Sequence, residues 1–187
     1  MVRRLTLLCH AATDAQRRGE FPAFDEPISE ASAAILPKLR ADRIISAPEK
    51  RAQQTAVLLN APFTVDETLR DCDFGTWIGS NLQNIFERDP AGAEQWLTDP
   101  MAKPHGGESL NDTLDRASRW LRSFSENSHV LVLTHPSVMR AIVIEILSSS
   151  ADAFWKIDIE PLAMIDARYD GRRWSLRALN QMLSKNR

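Results

Sequence analysis

Cysteine is scarce, with Cys9 and Cys72 the two examples in 187 residues. They form no CxxC, and no cysteine–histidine pair has structural zinc spacing. Neither a disulfide framework nor a zinc module is expected, and two reduced thiols fit a cytoplasmic protein. An excess of one charge is also missing: 23 basic residues face 25 acidic ones, for a net charge of -2. That balance calls for no nucleic-acid partner and no anionic membrane. No apolar run approaches the length of a bilayer span. The stretch after Arg3-Arg4 is too short for a signal-peptide core, and no small-residue cleavage site follows it. The seven glycines build no GxxxxGK[ST], GxGxxG or GxSxG motif, and no HExxH occurs. A cysteine phosphatase would need an arginine where Ala15 stands. What remains is an ordinary globular balance, 43% hydrophobic and 26% charged, in a length that suits one domain over residues 1–187.

Short apolar runs alternate with longer helical patterns. "RLTLLC" reads as a buried strand and "RIIS", Arg43 to Ser46, as a second. "HVLVLTH", His129 to His135, is the most apolar. "FTVDETL" reads as an edge strand. Helices are expected over Ser29–Arg40, limited or kinked near Pro37, and over Pro48–Asn60. "NLQNIFERDPAGAEQWL" should give helix broken at Pro90. Ser109–Phe124 opens with a Ser-x-x-Asp capping signal, and a further helix starts at Pro136. The terminal stretch reads as a hairpin turning at Asp170-Gly171. The alternation predicts a three-layer α/β/α sandwich with a mostly parallel central sheet, whose ligand site lies beyond the carboxyl ends of the strands.

That rule makes two strand tips informative. His10 ends "RLTLLCH" and His135 ends "HVLVLTH", two of the four histidines. Two such positions favour a functional pair over unrelated loop histidines. Arg51 sits in the first turn of a helix, where it opposes the helix dipole. It belongs either to a solvated pair with Lys50 or to an anion site at the strand ends. Asp71 and Asp73 flank an aromatic segment. One reading is a carboxyl raised toward general-acid duty by apolar surroundings. The other is a polar loop packed by Trp77. "HGGESLND" offers two glycines before a capped helix, which is common loop chemistry.

Taken together, these pieces resemble the histidine phosphatase superfamily, also called the phosphoglycerate mutase-like family. Its RHGxT stands here as "CHAAT", and its D-x-P-L-[ST] as "DEPIS". "SAPEKRAQQTA" reproduces S-[SA]-P-x-x-R-[AT]-x-Q-T-A nearly intact. "LRDCDFGTWIG", GGES and "VLVLTHPSVMRA" follow in the family's order. The resemblance implies the sandwich fold and a phosphomonoester hydrolase. His10 would be the nucleophile that becomes a phosphohistidine. Asp71 would be the acid, and Arg51 and His135 would bind the phosphoryl oxygens. It also implies a substrate pocket holding Cys9, Thr13, Gln16 and Glu108. No cofactor and no metal are expected, because side chains supply the positive charge. The expected partner is a small phosphorylated metabolite.

The departures set the alternative. Cys9 replaces a phosphate-binding arginine, a loss worth about 2.7–4 kcal/mol of transition-state stabilisation. Ala11 replaces a glycine, Gln16 an asparagine, and Asp71 the usual glutamate. Pro136 replaces the glycine after the second histidine. Arg17, Arg18, Arg70 and His105 are candidates for the missing charge. The alternative is a weakened or inactive member that binds a phosphorylated ligand or a protein. Cys9 reads as a small apolar filler in preference to a redox switch.

Overall fold

The computed structural model describes residues 3–32, 36, 37 and 39–182. Six strands form one sheet in the order β3-β2-β4-β1-β5-β6. They are β1 (Arg3–Cys9), β2 (Arg43–Ser46), β3 (Thr64–Val65), β4 (His129–Thr134), β5 (Ala163–Tyr169) and β6 (Trp174–Met182). The β3-β2, β2-β4 and β4-β1 pairs are parallel. The terminal hairpin adds an antiparallel edge through β1-β5 and β5-β6. The architecture is therefore the expected α/β fold with a mostly parallel centre.

Residue parity sorts β1 between two cores. Leu5, Leu7 and Cys9 face one side, with Val130 and Val132 of β4. This side packs under α5 (Leu110–Ser123) and α6 (Pro136–Leu147). Leu8 faces the other, with Leu131, Leu133, Ile44 and Ala56 of α2 (Lys50–Leu58). Because both faces of the central strands are covered, "RLTLLC" and "VLVLT" read as continuous apolar runs. The remaining helices are α1 (Asp14–Arg17), α3 (Leu82–Arg88) and α4 (Pro90–Thr98). α3 and α4 join the 72–77 loop in a separate aromatic cluster of Cys72, Trp77, Ile85, Ala93 and Trp96.

Local chemistry sets the element ends. Ser109 and Asp112 form the reciprocal capping box at the start of α5. Asp89 caps α4 just before Pro90, so the expected break falls there. The helix expected over Ser29–Arg40 is a correction. Among the described residues of that span, Glu30–Ser32 form a 3-10 turn, and Leu36, Pro37, Leu39 and Arg40 are not helical. Residues 33–35 and 38 lie outside the described residues. Pro37 cannot donate a helical hydrogen bond, and the local apolar pattern did not outweigh that. The "FTVDETL" strand is shorter than read: Thr64–Val65 pairs with β2, and Glu67–Leu69 turns into a 3-10 helix capped by Asp66.

The GGES motif earns its glycine through packing. A Cβ on Gly107 would lie 2.0 Å from the Asp73 carbonyl oxygen, and one on Gly75 would lie 2.1 Å from that of His105. The two segments touch backbone to backbone, joined by Glu108 N–H donating to Asp73 and Thr76 N–H donating to His105. Gly107→Ala must push apart the loop that carries Asp71. It is expected to cost about 1–3 kcal/mol, as overpacking does, and to lower the melting temperature by several degrees. An unchanged melting temperature would contradict the close approach.

Candidate active site

The central register brings the two histidines together. Cys9 pairs with Thr134 across β1 and β4, so the next residue of each strand lands beside the other. The rings of His10 and His135 are 5.2 Å apart between centroids. Both are buried. His10 Nδ1 lies 2.8 Å from the carbonyl oxygen of Ala11. A carbonyl only accepts, so Nδ1 carries the proton and Nε2 keeps its lone pair. Burial is the main reason that its pKa falls to about 3, with His135 and Arg51 also disfavouring a second positive charge. The imidazole is neutral at physiological pH, as an attacking nucleophile must be.

Arg51, one residue into α2, is buried and makes three contacts. Its Nη2 donates to Asp71 Oδ2 at 2.7 Å, Nη1 to the Ala23 carbonyl at 2.8 Å, and Nε to His135 Nδ1 at 3.2 Å. Glu49, the N-cap residue of α2, accepts from His135 Nε2 at 2.7 Å and from the Asp71 N–H at 2.8 Å. His135 thus points one ring nitrogen at a carboxylate and the other at a guanidinium, which fixes its tautomer. A second proton, on Nδ1, would instead face Asp71 Oδ2, 3.5 Å away.

At Asp71 the sequence left two readings open, a carboxyl raised by apolar surroundings and a polar loop packed by Trp77. Burial does push its carboxyl toward the neutral acid. His135, Arg51 and the Ser137 hydroxyl outweigh that and hold it below the ordinary carboxylate range. Oδ1 accepts from the Ser137 hydroxyl and from the Cys72 N–H. Of the two, the raised carboxyl is the one these surroundings oppose: Arg51 from α2, Ser137 from α6 and His135 hold the carboxylate ionised.

A cavity of about 320 Å³ opens over this cluster. His10, Thr13, Gln16, Asp71, Ser137 and Arg140 contribute to its polar lining. Arg51 and His135, both buried, do not line it themselves and reach it through Asp71, which each of them contacts. Cys9 and Glu108, both expected in the pocket, face elsewhere. Cys9 is fully buried in the core under α6, where burial raises its thiol far above the ordinary range. It packs there as an apolar filler, and burial disfavours the thiolate that a redox switch would need. Glu108 accepts from Arg70 and twice from Arg116, and the same Arg116 donates to the carbonyls of Thr68, Arg70 and Asp71. This pair clamps the segment that presents Asp71.

The candidates for the missing charge resolve similarly. Arg18 pairs with Glu20, and Arg70 with Glu108. Arg17 is exposed, and His105 is buried among Phe74, Trp77 and Trp96. Arg140, which the sequence reading passed over, lines the cavity. It lies one helical turn beyond Ser137, stacks on Phe154 at 5.3 Å, and has its Nη2 3.6 Å from the exposed carboxylate of Asp158, while its buried Nε has no partner among the described residues. The Gln16 Oε1 is also buried and partnerless among them. Glu49 was missed too. Its signal is an acidic residue immediately before Lys50-Arg51, an ordinary sight in the first turn of a helix.

The family model described as histidine phosphatase superfamily (branch 1) matches residues 5–182. The chain belongs to the histidine phosphatase superfamily. Among superfamily relatives, a bifunctional protein of Mycobacterium tuberculosis is 28% identical, and 95% of this chain aligns with 54% of that protein. The chain thus spans about half the length of that relative. A glucosyl-3-phosphoglycerate phosphatase of Mycolicibacterium vanbaalenii is 28% identical over 81% of this chain and 77% of its own. The crystal structure of the alpha-ribazole phosphatase from Shigella flexneri has the same fold. Its TM-score is 0.84 at 21% identity, over 98% of this chain and 100% of that one. No helix among the described residues is long and apolar enough to cross a membrane, and none of their side chains cluster as a metal site.

The His10 geometry has a pH signature. Its folded pKa of about 3 lies below the ordinary 6.5. Between those values the unfolded chain binds a proton there that the folded chain does not. Stability therefore falls as pH drops from about 6.5 toward 3, by up to about 1.4 kcal/mol per unit. Asp71, held low, adds to the loss once pH falls through the ordinary carboxylate range. Denaturant titrations of wild type and His10→Gln are expected to give a steeper acid slope for wild type; equal slopes would contradict the buried neutral imidazole.

Proposed function

We propose that this chain hydrolyses a small phosphomonoester through a phosphohistidine at His10. The observation that carries the reading is a convergence at one cavity. The unprotonated Nε2 of His10 and the Asp71 carboxylate meet two polar groups that lack partners among the described residues, on Gln16 and Arg140. Membership of the superfamily and the phosphatases among its relatives support it. Nε2 attacks phosphorus, the N–P bond forms as the ester P–O bond breaks, and the leaving oxygen takes a proton. Water then attacks phosphorus, the N–P bond breaks, and inorganic phosphate departs.

Substrate completes the acid. An incoming phosphoryl dianion competes with Asp71 for Arg51 and adds negative charge beside the carboxylate. Both effects raise its pKa, so Asp71 can hold the proton the leaving oxygen needs and later accept one from water. Glu49 keeps His135 oriented throughout. Arg140 takes over the charge that Cys9 cannot supply, and the reading requires no metal. The test is hydrolysis of p-nitrophenyl phosphate in the presence of a chelator. Wild type is expected to turn it over and His10→Ala is not; equal rates in both would overturn the assignment. A binding-only member, the reading favoured by Cys9 alone, would give no turnover in either.

A further inference from the structure

The cavity above the reactive cluster changes character within one residue layer. Its floor is polar, but its walls are Phe21, Phe74, Leu82, Trp96, Leu97 and Trp155. The rings pack against one another into a continuous aromatic wall on which another ring could lie. Phe21 and Phe74 stand 4.6 Å apart between centroids, and Trp96 and Trp155 meet edge to face at 6.3 Å. Trp155 remains 43% exposed at the rim. At about 320 Å³ the space is at the small end of ligand sites, which run from roughly 300 to 1,000 Å³.

Charge on these walls is as informative. Among the described residues lining the cavity, Arg140 is the one guanidinium or ammonium. The other charged groups lining it are the carboxylates of Asp71 and Glu20. Glu20 is already paired with Arg18, whose guanidinium holds it below the ordinary range. One cation suffices for the transferred phosphoryl group. A substrate carrying a second phosphate or a carboxylate would place that anion against aromatic rings and an ionised glutamate, without a partner.

Resting on the phosphatase reading above, we propose that the substrate is the monophosphate of an apolar, ring-bearing alcohol with no second anionic group. The ring occupies the Phe21–Phe74–Trp96–Trp155 enclosure, and the phosphoryl group reaches down to His10, Gln16 and Arg140. Hydrolysis yields the free alcohol and inorganic phosphate, with water as the sole co-reactant.

The test compares three primary alkyl monoesters of similar intrinsic reactivity: 2-phenylethyl phosphate, glycerol 1-phosphate and O-phosphoserine, with p-nitrophenyl phosphate as a general probe. The expected kcat/KM for the phenylethyl ester exceeds that of each of the other two by at least about tenfold, the return from burying one ring. Trp155→Ala narrows that ratio, chiefly through KM. O-Phosphoserine hydrolysed as fast as the phenylethyl ester, with p-nitrophenyl phosphate turned over, would overturn the substrate class and leave the phosphatase reading standing. No hydrolysis of any of the four esters would overturn both.

Discussion

His10→Ala is expected to lower the rate of aryl phosphate hydrolysis by roughly ten-thousand- to million-fold, the scale on which covalent catalysts lose activity with their nucleophile. The size follows from what the residue is asked to do. In the proposed mechanism its lone pair forms the bond to phosphorus, and no neighbour among the described residues is placed to substitute for it. His135 lies 5.2 Å away between ring centroids, but its nitrogens are committed to Glu49 and Arg51. Fold is expected to survive, because alanine leaves β1 and its register intact. Circular dichroism and thermal unfolding separate the two outcomes: an inactive but cooperatively folded variant fits the account. A folded variant within tenfold of wild type would contradict it.

Arg51→Ala is expected to be the next most damaging change, and it acts on two quantities. Removing one partner of a buried ion pair costs about 3–5 kcal/mol, and both Arg51 and Asp71 lie within the protein, 1% and 12% exposed at their side chains. The rate is expected to fall by a further two to three decades, the worth of one phosphoryl-stabilising donor. Without the guanidinium, burial raises the Asp71 carboxyl, so the limb of the rate profile at which this acid loses its proton is expected to move to higher pH. Arg51→Lys keeps the charge, but its single ammonium cannot serve the Ala23 carbonyl, Asp71 and His135 at once. It is expected to recover part of the stability and little of the rate. Loss of stability with a full rate per folded molecule would make Arg51 a structural residue alone.

Much of this site could be read from sequence, for identifiable reasons. Two strands ending in histidine gave the His10–His135 pair, because parallel neighbours in register present their next residues side by side. The destination of Cys9 was also legible in principle. It shares parity with Leu5 and Leu7, so its side chain belongs to their core. Read as the occupant of a functional position, it was placed in the pocket instead. The charge of Asp71 stayed open because its chain neighbours are aromatic, while the groups that set its charge are Arg51, 20 positions back, and Ser137, 66 positions on. Glu49 and Arg140 were hidden similarly. Each looked like an ordinary helix residue until the sheet order brought α2 and α6 to the same strand ends. GGES was recognised as a motif, yet its physical work is to let two backbones meet behind Asp71.

The central claim is that the phosphoryl group visits His10 on its way to water. Each displacement at phosphorus inverts configuration, so two in sequence restore it. Hydrolysis of an aryl phosphorothioate ester made chiral with two oxygen isotopes, in water of the third, reads the outcome directly even when the intermediate never accumulates. The account predicts chiral inorganic thiophosphate with retained configuration. Net inversion would mean that water attacks the ester in a single step, and that His10 is not the nucleophile.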